Sequence, residues 1–120
     1  MKKVVTTGNR AGVFKLLEML VQRPDLSFVH LSSFARCLEQ VEAAPPALLL
    51  IDCETDTLKD CAWLLEELRT RDSARKIRTL LIAAPDVDAE DLAALKKGAD
   101  GCLKEPFNPL EIGQIAQKYL

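Results

Sequence analysis

Ala47-Leu48-Leu49-Leu50-Ile51-Asp52 is the stretch that decides the fold. Five apolar residues in a row leave neither face of a strand polar, which is what a central parallel strand covered by helices on both sides requires. The run stops at Asp52, so a carboxylate is expected at the carboxyl end of that strand. Outward from it the chain alternates short apolar runs of β type with longer segments of helical spacing, the pattern of βαβ units around a parallel sheet.

Upstream, Lys3-Val4-Val5-Thr6 reads as a first strand ended by Gly8. A helix is predicted from about Ala11 to Gln22, with Val13, Leu16, Leu17 and Leu20 on its inner face and Pro24 closing it. Ser27–Leu31 makes a second strand, and Phe34, Leu38 and Val41 mark a helix that ends at Pro45-Pro46. Downstream, Leu58, Ala62, Leu65 and Leu68, with Trp63 beside them, mark a third helix, and Thr79–Ala83 is a fourth buried strand broken by Pro85. Asp88 caps the next helix, with Asp91 in its first turn, Leu92, Leu95 and Ala99 on its apolar side and Gly98 suited to ending it. Gly101–Leu103 is a short fifth strand. Asn108 as N-cap, Pro109 at the first helical position and Glu111 at the third announce the last helix, with Leu110, Ile115 and Tyr119 expected to face inward.

Five strands alternating with five helices give a doubly wound open sheet, in which ligands and chemistry gather at the carboxyl ends of the strands. The segments to watch are therefore Thr7–Gly12, Asp52–Thr57, Ala83–Asp86 and Lys104–Phe107.

A chain of 120 residues can bury one core and not two, so residues 1–120 are expected to form a single domain, which excludes a two-domain enzyme. The near balance of 16 basic and 18 acidic residues, net −2, argues against a nucleic-acid partner. Met1-Lys2-Lys3 is followed by too short an apolar run for a signal peptide, and nothing approaches the ~18 apolar residues of a membrane span, so a cytoplasmic protein without a membrane partner is expected. Cys37, Cys53, Cys61 and Cys102 form no Cys-x-x-Cys pair, and His30 is the single histidine. They read as packed free thiols and a strand residue rather than as zinc ligands.

Two strings carry a family resemblance. Pro46–Asp52 and Gly98-Ala99-Asp100-Gly101-Cys102-Leu103-Lys104-Glu105-Pro106-Phe107 resemble the third strand and the Gly-Ala-Asp…Leu…Lys-Pro-Phe segment of the receiver domains of two-component response regulators, and the likeness extends over essentially the whole chain. The resemblance implies a three-layer α/β/α, flavodoxin-like fold with a five-stranded parallel sheet, five helices and strand order 2-1-3-4-5. It also implies that Asp52 stands where that family accepts a phosphoryl group from a histidine kinase.

The chemistry of that family needs further groups, and this sequence departs from each. The acidic pair that holds Mg²⁺ after the first strand falls on Gly8 and Asn9, so Mg²⁺ binding is expected to be weak or absent and no cofactor is implied. The hydroxyl residue ending the fourth strand is Ala83, the lysine before the cis-proline is Glu105, the aromatic switch residue is Cys102, and the proline four residues after the phosphoacceptor is Asp56. Lys104 is one position too early and is expected to point away from Asp52. Together these departures read as a degenerate receiver, or pseudo-receiver: a signalling module of a two-component phosphorelay that is not an enzyme and acts by protein–protein contact, with phosphorylation of Asp52 impaired or absent. Arg10, beside the vacated metal positions Gly8 and Asn9, is the candidate to pair with Asp52 or Glu105 and to stand in for the metal charge.

Two alternatives stay open. Asp52 accepts a phosphoryl group from a histidine kinase after all; or Thr6-Thr7-Gly8-Asn9-Arg10-Ala11-Gly12, small, hydroxyl-bearing and followed by a helix N-terminus, binds an anion, nucleotide or flavin phosphate as in flavodoxins. That loop matches neither the P-loop pattern nor Gly-x-Gly-x-x-Gly. Five cations between Arg69 and Arg78 read as a solvated loop, and Asp86, Asp88, Glu90 and Asp91 as an acidic helix start. Expected partners are a histidine kinase or an output domain, with the fourth helix, fifth strand and fifth helix as the dimer face. The chain ends at Tyr119-Leu120 with no output domain, either as a stand-alone module or as a piece of a longer protein.

Overall fold

The computed structural model describes residues 1–21 and 23–120. In chain order the elements are β1 (Lys2–Thr7), α1 (Ala11–Val21), β2 (Leu26–Leu31), α2 (Phe34–Ala43), β3 (Leu48–Cys53), a 3₁₀ turn (Thr55–Thr57), α3 (Leu58–Thr70), β4 (Thr79–Ala83), α4 (Ala89–Lys96), β5 (Gly101–Lys104) and α5 (Pro109–Tyr119). All neighbouring strands run parallel, in the order β2-β1-β3-β4-β5. The flavodoxin-like receiver fold, with five strands in that order and five helices, is therefore observed.

The two-residue period of a strand divides the core. On β3, Leu49, Ile51 and Cys53 pack with Cys37 and Val41 of α2, Cys61, Leu64 and Leu68 of α3, and Leu92 and Leu95 of α4. Leu48 and Leu50 face the other way, into a cluster with Phe14 and Leu17 of α1 and Ile112 of α5. Asp52 shares the parity of Leu48 and Leu50. The chain therefore delivers its carboxylate to the sheet face beneath α1 and α5, at the strand ends where the β1–α1 and β5–α5 loops meet.

Helix starts follow the expected chemistry. Asp88 accepts a hydrogen bond from the Glu90 backbone N–H at 2.8 Å, and Asn108 accepts one from Leu110 at 2.9 Å. Ser33 caps α2 by accepting from Arg36 N–H at 3.2 Å. Each satisfies a backbone donor that the helix leaves unpaired.

Strand β3 extends one residue beyond Asp52, to Cys53, with Asp52 paired to Ile82 and Cys53 to Ala83, so the carboxylate is at the carboxyl end of the strand as expected and still within its ladder. Several other expectations need correction. On α1 the buried residues are Phe14 and Leu17, while Leu16 and Leu20 are exposed at 47% and 38%, because Phe14 packs beneath the helix and rotates the apolar seam towards Val21. The expected end of that helix, Gln22, lies outside the described residues. On α3 the buried seam is Cys61, Leu64, Leu65 and Leu68, and Ala62 is exposed. On α5, Leu110 is 70% exposed, since the helix turns Ile112 and Ala116 inward from the same first turns.

Candidate functional site

Asp52 has no exposed side-chain surface, and a carboxylate removed from water at the end of a sheet requires compensation. Arg10 supplies it. Its Nη2 donates to Asp52 Oδ1 at 2.5 Å, its Nε lies 3.1 Å from both carboxylate oxygens, and its backbone N–H donates to Oδ2 at 3.3 Å. The planar guanidinium thus lies along both oxygens in the side-on geometry that favours arginine over lysine. Hydrogen bonding to Asp52 holds the Arg10 guanidinium well above its ordinary value, against the opposing effect of burial, and the charges of Asp52 and Glu105 add to that. Arg10 is therefore a permanent cation.

The same guanidinium reaches two more acids. Nη1 lies 2.7 Å from Glu105 Oε1, and Nε lies 3.8 Å from Glu54 Oε2. The Glu105 approach lies off the N–H direction, leaving Oε1 buried without a directed hydrogen bond, so that contact is an ion pair rather than a hydrogen bond. Burial, and then the charge of Asp52, push the Glu54 carboxyl above its ordinary value, outweighing its distant pairing with Arg10. One cation consequently serves three carboxylates, from β3, the loop after it and the loop after β5.

The backbone around Asp52 is equally constrained. Gly8 has φ +135°, and a Cβ there would stand 2.3 Å from Asp52 Cβ. Glycine is required on both counts, conformation and space. Behind Asp52, its carbonyl accepts a hydrogen bond from Cys61 Sγ at 3.3 Å, and the neighbouring Cys53 sulfur, with burial, pushes that thiol up so that it stays a donor.

The remaining positions singled out in the sequence fall as follows. Asn9 is exposed and lines an open groove with Ser33, Phe34 and Trp63, with no hydrogen bond to Asp52 among the described residues. Gly8 carries the loop past Asp52 and leaves Asn9 outside. Ala83 ends β4 buried and without a hydroxyl, beside Cys53 in register. Cys102 is half-buried against the α3 and α4 side of the core. Lys104 is exposed, as alternation requires, and Glu105 turns inward; the Glu105–Pro106 peptide is cis. Among the described residues no cluster of three or more His, Cys, Asp or Glu side chains has a metal-holding arrangement. The anion-cradle reading of Thr6–Gly12 meets an occupant already present, because the Arg10 N–H points at Asp52. Asp52 also does not cap the loop that follows it, where the Glu54 N–H is bonded by Thr57 Oγ1 at 3.1 Å instead. Arg71 of the basic run pairs with Glu42 and Glu67, and Arg69 donates to the Lys97 carbonyl, so these cations are engaged in ordinary surface contacts.

Two residues had no role assigned beside Asp52 from the sequence: Glu54, inside the watched Asp52–Thr57 segment, and His30, read as a strand residue. Glu54 has the strand parity of Asp52, which is the signal that could have placed it. His30 had none, because its partners, the Thr6 hydroxyl and the Gly8 carbonyl, become its neighbours only once β1 and β2 pair.

No family model matches the chain. Over 111 residues it is 24% identical to the alkaline phosphatase synthesis transcriptional regulatory protein PhoP of Bacillus subtilis, covering 92% of this chain and 45% of that protein. Over 110 residues it is 23% identical to the response regulator GtcR of Aneurinibacillus migulanus, covering 92% and 44%. The chain thus spans less than half the length of the curated relatives it matches. Among solved structures, the receiver domain of the sensor histidine kinase PA1611 from Pseudomonas aeruginosa, with a magnesium ion coordinated in its active site cleft, superposes with a TM-score of 0.80 at 16% identity, covering 98% of this chain and 96% of that one. The signal receiver domain of the response regulator NarL from Mycobacterium tuberculosis gives 0.78 at 18%, covering 98% and 94%. The chain is thus similar in sequence to two response regulators and shares its fold with receiver domains.

Two outcomes follow from this geometry. Arg10→Ala leaves a buried carboxylate unpaired and should cost about 3 kcal/mol in denaturant unfolding at neutral pH, the low end for breaking a buried pair because Arg10 is 24% exposed; a cost below about 1 kcal/mol is what a surface pair would give and contradicts it. Because the Glu54 carboxyl is raised, the native state holds its proton to higher pH than the unfolded chain, and that contribution is lost as pH rises from the ordinary 4.5 through the folded value. Glu54→Gln should therefore gain stability relative to the parent between pH 4.5 and 7; a pH-independent difference contradicts the shift.

Proposed function

We propose that this chain is a degenerate receiver, a two-component signalling module that works by protein–protein contact with Asp52 masked from phosphoryl transfer. One observation carries the reading: the Arg10 guanidinium lies along both oxygens of an Asp52 side chain that has no exposed surface. Accepting a phosphoryl group requires a free carboxylate oxygen in line with the donor, and cationic groups to neutralise the charge that develops. Here both oxygens are engaged, and reaching them requires displacing a contact made through three side-chain approaches and a backbone N–H.

The surroundings favour the same reading. Ala83 offers no hydroxyl to the incoming oxygens, and Glu105 contributes a negative charge that would repel them. The Pseudomonas neighbour holds magnesium in its active site cleft. In this chain Gly8 and Asn9 supply no carboxylate and a guanidinium covers Asp52, so the donor set fits a resident cation better than a divalent one, and Mg²⁺ binding is read as weak or absent.

The function that remains is recognition. A histidine kinase or an output domain is the class of partner proposed, together with a second copy of the chain across α4, β5 and α5. There β5 is a short edge strand, which leaves its outer backbone free for neighbours. No helix among the described residues is long and apolar enough to cross a membrane. A cytoplasmic site of action is proposed with the rest, with neither enzyme activity nor nucleic-acid binding assigned to this domain.

The test is intact-mass spectrometry after incubation with acetyl phosphate and Mg²⁺. The parent chain should show no added phosphoryl group. A Mg²⁺-dependent phosphoryl adduct that disappears in Asp52→Asn would establish the competing reading, a phosphorylatable receiver.

A further inference from the structure

We propose that His30, on β2, is a positioning residue that holds the β1–α1 loop so that Arg10 stays seated on Asp52; the role rests on the masked-Asp52 reading above. His30 pairs in register with Thr6 across the parallel β1–β2 ladder, which puts both side chains on the sheet face of Asp52. Its Nδ1 lies 2.8 Å from Thr6 Oγ1 and its Nε2 lies 3.1 Å from the Gly8 carbonyl. Phe14 of α1 packs on the ring at 5.3 Å between centroids, limiting its rotation.

The chemistry of the partners assigns the proton. A carbonyl oxygen only accepts, so Nε2 carries the hydrogen and donates to Gly8; in the neutral ring Nδ1 then accepts from the Thr6 hydroxyl. Thr6 is buried and has this partner for its hydroxyl, so the contact satisfies a core polar group while pointing the ring at the loop.

Gly8 is the pivot. One side of it lies against Asp52 Cβ, and its carbonyl is held by His30 on the other. Two residues later the chain enters α1 with Arg10 N–H on Asp52 Oδ2. With the loop pinned at Gly8 the guanidinium arrives preplaced; without that bond the loop loses its only side-chain hydrogen bond from β2 among the described residues, and Arg10 its register. A histidine that merely filled space would need neither a particular tautomer nor a donor at the Nε2 position.

The experiment reads two nuclear magnetic resonance signals in the whole chain. Because His30 is the single histidine, its imidazole nitrogen spectrum is unambiguous. It should show Nε2 protonated and Nδ1 bare, and the opposite tautomer overturns the proposal. The second signal is hydrogen exchange at Arg10 Nε–H, which should be at least about tenfold slower than at a free arginine. His30→Gln keeps a donor near the Nε2 position and should keep that protection, whereas His30→Asn is too short to reach Gly8 and should lose about tenfold. Equal protection in both variants, or equal loss in both, overturns the His30 role. Absence of protection already in the parent overturns the Arg10–Asp52 seat itself, which separates the two failures. If His30→Asn does not fold, the parent's tautomer decides.

Discussion

A carboxylate without solvent at the end of the central strand is the constraint on which the rest of the site depends. Asp52 lies inside β3, on the parity that faces α1 and α5, and has no surface in contact with water. Left alone, an ionised group there would cost several kcal/mol of solvation. The fold answers with Arg10, and Arg10 can reach only because the β1–α1 loop passes directly over Asp52. That path is open only to glycine at position 8, where any Cβ would collide with the carboxylate's own side chain. Gly8 is thus the residue that brings the loop down onto Asp52.

The charge arithmetic of the cluster is unusual for a purely structural pair. Arg10 faces Asp52, Glu54 and Glu105, one cation against three acids, and Glu54 responds with a raised carboxyl. A buried pair of this kind contributes less to net stability than an apolar core would, yet removing either partner is costly, so its value lies in specifying one arrangement. The arrangement specified is a closed one. Glu105 is central to it, because a lysine at that position would repel Arg10, whereas glutamate draws it inward. Gly8, Arg10 and Glu105 are mutually consistent in this way, each making the others workable.

Much of this was legible in the sequence. Leu48–Ile51 announced a strand buried on both faces, and the caps Asp88 and Asn108 lie where their side chains predict, because strand burial and helix capping are local and chemical. Arg10 as partner of Asp52 or Glu105 followed from its charge together with the receiver resemblance, which placed it beside Gly8 and Asn9; the structure has it contact both at once. What sequence could not show was tertiary. The seam of α1 includes Phe14 because His30 and the sheet wait beneath it, and this leaves Leu16 and Leu20 outside. Leu110 looked inward by spacing, but one helical seam holds only Ile112 and Ala116 fully buried. His30 became a loop contact only through the β1–β2 register, which no residue of either strand announces.

The Arg10 guanidinium fills the space along both oxygens of Asp52 at the end of this sheet, and that occupancy is open to measurement. The most direct measurement is a titration of the isotopically labelled chain with Mn²⁺, following paramagnetic broadening of the backbone signals of Asp52, Glu54 and Glu105. Only diffuse broadening at exposed carboxylates is expected, without saturation at these three. Saturable broadening centred on Asp52 at submillimolar Mn²⁺ would contradict that occupancy, since a metal would then occupy the position assigned to Arg10.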